Sequence, residues 1–359
     1  IGGRRNVIIN GAMMASQRGT TFNSVATSTV TIDRFRWEQG GSGAVSAWNV
    51  TQKSNAAREI GFENSLKVEV ATVDSSLSSG HYSQFKYLIE TNDIIRQSSY
   101  GLSTAKKMTL SFYVKSSVTG TFPLALNDGS GSRSNPHIYT INSADTWERK
   151  VITFVGDTGG NWQSQATNGA GFGIRWGLAV GSGYFGTADG AWAADSSYAN
   201  LYASYSNSLV TTQGATWELT GVQLEVGSQA TPFEHRNHQE ELHLCKRYYQ
   251  RYPEGPTADN YNCVPSAIMA CNNTTTAYYC PTLNPTMRSN PSFSHSGNFR
   301  MNGTSGVNNV AVTAIGVYHN GAATPFQYAS VASGLTAGQA VALSVNNDAT
   351  AYIAYSAEL

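Results

Sequence analysis

Along most of the chain, apolar and polar residues alternate over short runs, and turn-forming residues separate the runs. In SLKVEV, Leu66, Val68 and Val70 share one face while Lys67 and Glu69 share the other. MTLSFYVKSS repeats the arrangement with Met108, Leu110, Phe112 and Val114. VTIDRFRWEQ, with Ile32, Phe35 and Trp37, reads as a strand, as do AVSAWNVTQ, HYSQFKYLIE, TFPLALND, TWERKVITFV and GFGIRWGLAV. Before them, Val7 to Ile9 form a short apolar strand closed by the Asn10-Gly11 turn. About ten short strands with scarcely any helical period predict a β-sandwich, and the polar outer faces favour a jelly roll.

The stretch Trp217 to Gln250 changes grammar twice. Trp217, Leu219, Val222 and Leu224 alternate with polar residues but slip by one at Gly221, where a bulge absorbs the extra residue. Gly227 and Pro232 stop that strand. A helix is then predicted over 237–250. Asn237 caps it, Glu240 stands at capping-box spacing, and Leu242, Cys245 and Tyr249 form an apolar stripe. Glu240 and Glu241 near its start, and Lys246 and Arg247 near its end, suit the helix dipole. Pro253, Gly255 and Pro256 end it.

Beyond Pro256 short strands resume: VPSAIMA, TAYYCP, SFSHSGNFRM, NVAVTAIGVYH, PFQYAS, AVALSVN and ATAYIAYSAEL. The expected organisation is all-β: a jelly-roll β-sandwich over 1–236, a short linking α-helix over 237–250, and a second, smaller β-sandwich over 251–359.

Charged residues make 13% of the chain and net charge is zero, so nothing marks a polyanion partner, and no nucleic-acid binding is expected. No apolar run is long enough for a bilayer helix, and membrane insertion is not expected. The chain opens at Ile1 without a signal-peptide pattern, and an upstream segment is expected. Cys245, Cys263, Cys271 and Cys280 form no CxxC pair and read as buried free thiols, with a disulfide as the alternative.

Few motifs carry chemistry. Gly181 to Gly186 match GxGxxG, but no βαβ unit follows, so the stretch reads as a loop. The histidines (His81, His137, His235, His238, His243, His295 and His319) are scattered among polar segments and read as surface or joint residues. Asp145, Glu148, Asp157, Asp189, Asp195, Glu218 and Glu225 could supply a glycosidase pair on paper, but sequence pairs none of them. No catalytic residue, metal ligand or cofactor is assigned.

Aromatic residues say more. Trp37, Trp147, Trp176 and Trp217 lie on strands and read as core. Trp162, Tyr184, Phe185, Trp192, Tyr198, Tyr202 and Tyr205 lie where Gly, Ser, Asn and Asp dominate. Rings beside amides on adaptable loops suit sugar contact. The same rings also suit a subunit interface or ordinary packing.

NVIINGAMMASQRGT, TIDRFRW and TGVQLEVGSQATPFEHR, with the EE and CKRYYQ that follow, resemble a family of bacteriophage tail-fibre and receptor-binding proteins. The ending TAGQAVALSVNNDATAYIAYSAEL resembles that family's terminal hairpin. The resemblance implies a carbohydrate-binding-module-like jelly roll with a small C-terminal β-domain. It further implies a virion component, usually a homotrimer, that joins other virion proteins through an upstream segment. Such a protein contacts bacterial surface polysaccharide without being an enzyme. Related jelly rolls sometimes carry a structural calcium, but no acidic cluster stands near Asn10 and no ligand is carried over. Two rival readings are a structural head-fibre, decoration or tail component without a glycan site, and a polysaccharide depolymerase.

Overall fold

The structure, a computed structural model, describes residues 4–41, 46–162, 168–186, 190–196, 198–254, 263–303 and 307–359. They form two compact units, one built from 1–16, 20–241 and 359, the other from 17–19 and 242–358. Strands dominate both; the helices Thr91–Ser98 and His238–Lys246 are short.

The first unit is a sandwich of two antiparallel sheets. One has the spatial order Thr21–Phe22, Ala47–Ala57, Phe62–Thr72, Thr216–Val226, Met108–Ser116, Glu148–Phe154. The other runs Ala193–Ala194, Arg133–Ile141, Gly120–Asp128, Ala170–Val180, Tyr82–Glu90, Arg36–Gly40, Thr29–Val30. Most neighbours in space are not neighbours in sequence, as expected for a jelly roll. The alternating positions meet between the sheets: Leu66, Val68, Val70, Leu110, Phe112 and Val114 are buried there with Trp37, Trp48, Trp176 and Trp217. Trp147 instead packs beside Phe62 in a separate cluster, its indole N–H donating to the Ala56 carbonyl at 3.1 Å.

The bulge expected at Gly221 is present. Pairing with Met108–Ser116 shifts register between Thr220 and Gln223, and Gly221 adopts φ 60°, a region open to glycine. The polar positions of this strand are buried too. Glu218 accepts from Ser65 Oγ at 2.9 Å and lies 3.2 Å from Lys53 Nζ; Glu225 accepts from the Thr231 amide at 2.9 Å. Val7 to Ile9, expected as a strand, instead lie along this one, with the Val7 amide donating to the Leu224 carbonyl at 3.0 Å. The ATPFEHR segment clamps that stretch. Glu234 accepts from the Arg5 and Asn6 amides at 2.8 Å, and Arg236 donates to the Ile8 carbonyl at 2.9 Å. This motif therefore serves the fold.

The helix starts as expected, with Asn237 Oδ1 accepting from the Glu240 amide at 2.9 Å. Glu240 does not return the bond but pairs with Arg4. The helix ends at Lys246, short of the predicted 250, because Tyr249–Tyr252 pairs as a strand with Tyr352–Ser356. In the second unit Cys263–Cys271, Thr276–Tyr279, Phe326–Val331, Val310–His319, Phe299–Gly303 and Ala340–Val345 close into a barrel. Tyr249–Tyr252, Tyr352–Ser356 and Ser292–Ser296 form a separate three-stranded sheet. All-β architecture thus holds throughout, with the smaller unit's sandwich realised as a closed barrel. Cys245 is buried, Cys271 is a buried free thiol, and Cys280 is free and exposed.

Candidate functional site

On three adjacent strands of the seven-stranded sheet, the inward residues are apolar, many of them aromatic, and a group of the outward ones is polar. Trp37, Phe85 and Trp176 point into the core. Between them in sequence stand Arg36 and Glu38, Gln84 and Lys86, and Arg175. Register sets Glu38 opposite Gln84, Arg36 opposite Lys86, and Lys86 opposite Arg175. Gly173 and Gly177 flank Arg175 on its own face. A side chain at Gly173 would come 2.5 Å from Asn127 Oδ1, and one at Gly177 would come 3.2 Å from the Tyr202 ring. The Gly-x-Arg-x-Gly pattern thus leaves room for Asn127 on one side of Arg175 and Tyr202 on the other.

The chain after Val180 folds back over this face. Tyr205 pins it, its hydroxyl donating to the Val180 carbonyl at 3.1 Å and accepting from the Val180 amide at 2.8 Å. Tyr184 donates to the Gly80 carbonyl at 3.1 Å and meets Tyr82 edge-on at 5.6 Å. Tyr202 donates to Gln84 Oε1. Between sheet and loop remains a hollow of about 350 Å³, lined by Tyr82, Tyr184, Tyr198, Leu201 and Tyr202, with Glu38, Gln84, Lys86 and Arg175 beneath.

Tyr198 has φ 64°, a strained conformation for a bulky residue. Gly131 lies under its ring, where any Cβ would come within 2.5 Å, and the Arg175 guanidinium lies 4.7 Å from the ring centroid. Glu38 ties the base together, accepting from Lys86 at 2.6 Å, Gln84 at 3.0 Å and Arg175 at 3.1 Å. Burial opposes its ionisation, but Lys86, Arg175 and Arg36 outweigh burial and hold the carboxyl below its usual range. Burial also lowers Lys86, and the neighbouring Arg175 charge lowers it further.

A carboxyl with a depressed folded pKa contributes its full stability above the ordinary carboxylate range and loses it as pH falls through the folded value. Stability of this unit is therefore expected to hold down to the ordinary carboxylate range near pH 4 and to fall as pH drops through the lower folded value of Glu38, as urea denaturation at stepped pH would read.

Of the aromatic residues singled out from sequence, Tyr184, Tyr198 and Tyr202 meet at the hollow, while Phe185 and Tyr205 pack behind them. Trp162 is fully buried in the sandwich, and Trp192 packs half-buried against that core. Packing explains the difference: Trp162 lies against Tyr100 at 5.1 Å, Trp192 at 5.4 Å and Phe172 at 6.0 Å, with its indole N–H on Asp157 at 3.0 Å. Sequence reasoning missed Glu38, Tyr82, Gln84, Lys86 and Arg175, whose signal was the polar half of alternating runs. Among the described carboxylates weighed earlier none lines the hollow, and Asp189 lies outside the described residues. His81 is no surface residue. It is buried, 2.9 Å from Ser83 Oγ, and burial lowers its pKa against the pull of Asp74. Gly181 to Gly186 form a loop with one short turn at Ser182–Tyr184. Among the described residues no cluster of His, Cys, Asp and Glu could hold a metal, and no helix is long and apolar enough to cross a membrane.

No family model and no curated protein matches the chain. Among solved structures it is similar to a family 61 carbohydrate-binding module in complex with beta-1,4-galactotriose, at 9% identity over 62% of this chain and 100% of that one, TM-score 0.30. A family 11 carbohydrate-binding module from Clostridium thermocellum, in complex with a beta-1,3-1,4-mixed-linked tetrasaccharide, is 12% identical over 59% of this chain and 99% of that one, TM-score 0.27. The enzymatically active domain of bacteriophage CBA120 tailspike protein 4 is 14% identical over 57% of this chain, TM-score 0.31, and this chain spans 21% of its length. Likenesses this distant carry no argument about function.

Proposed function

We propose that the protein is a glycan-binding attachment protein whose jelly roll holds surface polysaccharide in the tyrosine-walled hollow and leaves it chemically unchanged. The observation that carries this reading is the pairing of Tyr82, Tyr184 and Tyr198 with Gln84, Lys86, Arg175 and Glu38 in one hollow. Ring faces cover the apolar faces of a pyranose, and fixed donors and acceptors meet its hydroxyls. One carboxylate stands among the described residues of the lining, whereas glycoside hydrolysis ordinarily uses two.

The resemblance of TGVQLEVGSQATPFEHR and its flanks to phage tail-fibre and receptor-binding proteins supports placing this activity on a virion. There a homotrimer would present several hollows at once, and weak single contacts would gain by avidity.

A glycan array followed by calorimetric titration tests the reading. Tyr198→Ala is expected to weaken binding about tenfold through loss of one aromatic face. Its thermal midpoint should move little, because the ring stands at the rim of the hollow. Binding of no glycan, undiminished binding by Tyr198→Ala, or shortening of the bound polymer on incubation would each refute it.

A further inference from the structure

We infer that the saccharide taken into this hollow is acidic, with its carboxylate or phosphate set against Lys86 and Arg175, the two lining members of the cross-strand row Arg36–Lys86–Arg175; the inference rests on the glycan reading above. The three cations occupy facing positions on neighbouring strands, Arg36 across from Lys86 and Lys86 across from Arg175. Like charges directly opposite one another repel, so such a row destabilises the empty sheet. Glu38 answers it, and both its oxygens are engaged. Oε1 takes Lys86 at 2.6 Å with Arg36 Nε at 3.5 Å, and Oε2 takes Gln84 at 3.0 Å and Arg175 at 3.1 Å.

Arg36 also reaches the Leu359 main-chain oxygen at 3.3 Å. Even with Arg36 set aside, Lys86 and Arg175 outnumber Glu38 in the lining. Arg175 spends Nε on Asn127 and Nη1 on Glu38, and its Nη2 has no protein acceptor among the described residues. The Tyr198 ring lies beside the same guanidinium. A sugar lying on that ring would bring an acidic substituent within reach of a charge-assisted donor, which a neutral sugar would leave unused.

The test uses the full chain and sugars matched except for the acid group: galacturonate oligosaccharides beside their carboxyl-reduced forms, and sugar phosphates beside the parent sugars. Inorganic phosphate at equal ionic strength is a separate arm. The acidic member is expected to bind about tenfold or more tightly. That preference should shrink in Arg175→Gln and grow in Glu38→Gln. Opposite movements would separate charge from a disturbed fold, which would weaken both members together. Equal or tighter binding of the neutral members would overturn the inference and leave the glycan reading standing. No binding by either member of any pair would overturn both. Competition by inorganic phosphate as strong as by the sugar phosphates would reduce the row to a bare anion site and overturn the saccharide assignment.

Discussion

Trp162→Ala is expected to lower the unfolding free energy of the jelly roll by about 3–5 kcal/mol, the range for removing a large aromatic from a packed core. The indole is fully buried, and it is the hub of a ring cluster with Tyr100, Phe172 and Trp192. Alanine would leave a void that three rigid rings cannot collapse to fill, and would free Asp157 of one donor. Because none of these groups lines the hollow, glycan affinity measured well below the melting temperature should match that of the native protein. Urea denaturation reports the first quantity and titration the second. An unchanged urea midpoint together with lost binding would return Trp162 to the sugar contacts.

Asp157→Ala should be comparably severe, about 3–5 kcal/mol, because it strands a cation and an indole at once. Asp157 is buried and accepts from Arg133 Nε at 2.8 Å, Arg133 Nη2 at 2.6 Å and Trp162 Nε1 at 3.0 Å. Burial disfavours its charge, but Arg133 and then Trp162 outweigh burial and hold the carboxyl below its ordinary range. The contribution is therefore complete above the unfolded value near pH 4 and disappears as pH falls through the folded value. Native protein should lose stability on acidification below about pH 4 more steeply than the variant does. Parallel stability–pH curves for the two would show that Asp157 ionisation contributes nothing to folding.

Much of this fold can be read from side-chain order alone. Strict alternation in SLKVEV and MTLSFYVKSS fixes strand and face together, and the slip at Gly221 marks a real register shift between Thr220 and Gln223. What order along the chain leaves open is which strands lie side by side. Arg36–Gly40, Tyr82–Glu90 and Ala170–Val180 are far apart in sequence and adjacent in the sheet. Their polar halves look like ordinary solvent faces until register brings Glu38, Gln84, Lys86 and Arg175 together.

The same gap explains the tryptophans. Polar neighbours in sequence suggest exposure for Trp162, yet Asp157 satisfies its indole and Tyr100 and Phe172 enclose it. At the helix end, the apolar stripe continues through Tyr249, but pairing of Tyr249 with Ser356 and of Gln250 with Tyr355 wins over helical continuation.

Most of the rim of the hollow belongs to one excursion of chain, which leaves the seven-stranded sheet after Val180, touches its edge at Ala193–Ala194 and enters the opposite sheet at Thr216. Side-chain bonds of Tyr205 on Val180, Tyr184 on Gly80 and Trp192 on Val155 tie it to the body, with main-chain bonds to His81, Pro136 and Thr121, while the charged base is locked in strand register. Doubling the length of such an excursion adds only about 0.6 kcal/mol of closure entropy. Descendants of this chain can therefore acquire new rims by insertion without refolding the body, so diversification of the molecules grasped should run ahead of any change in the scaffold.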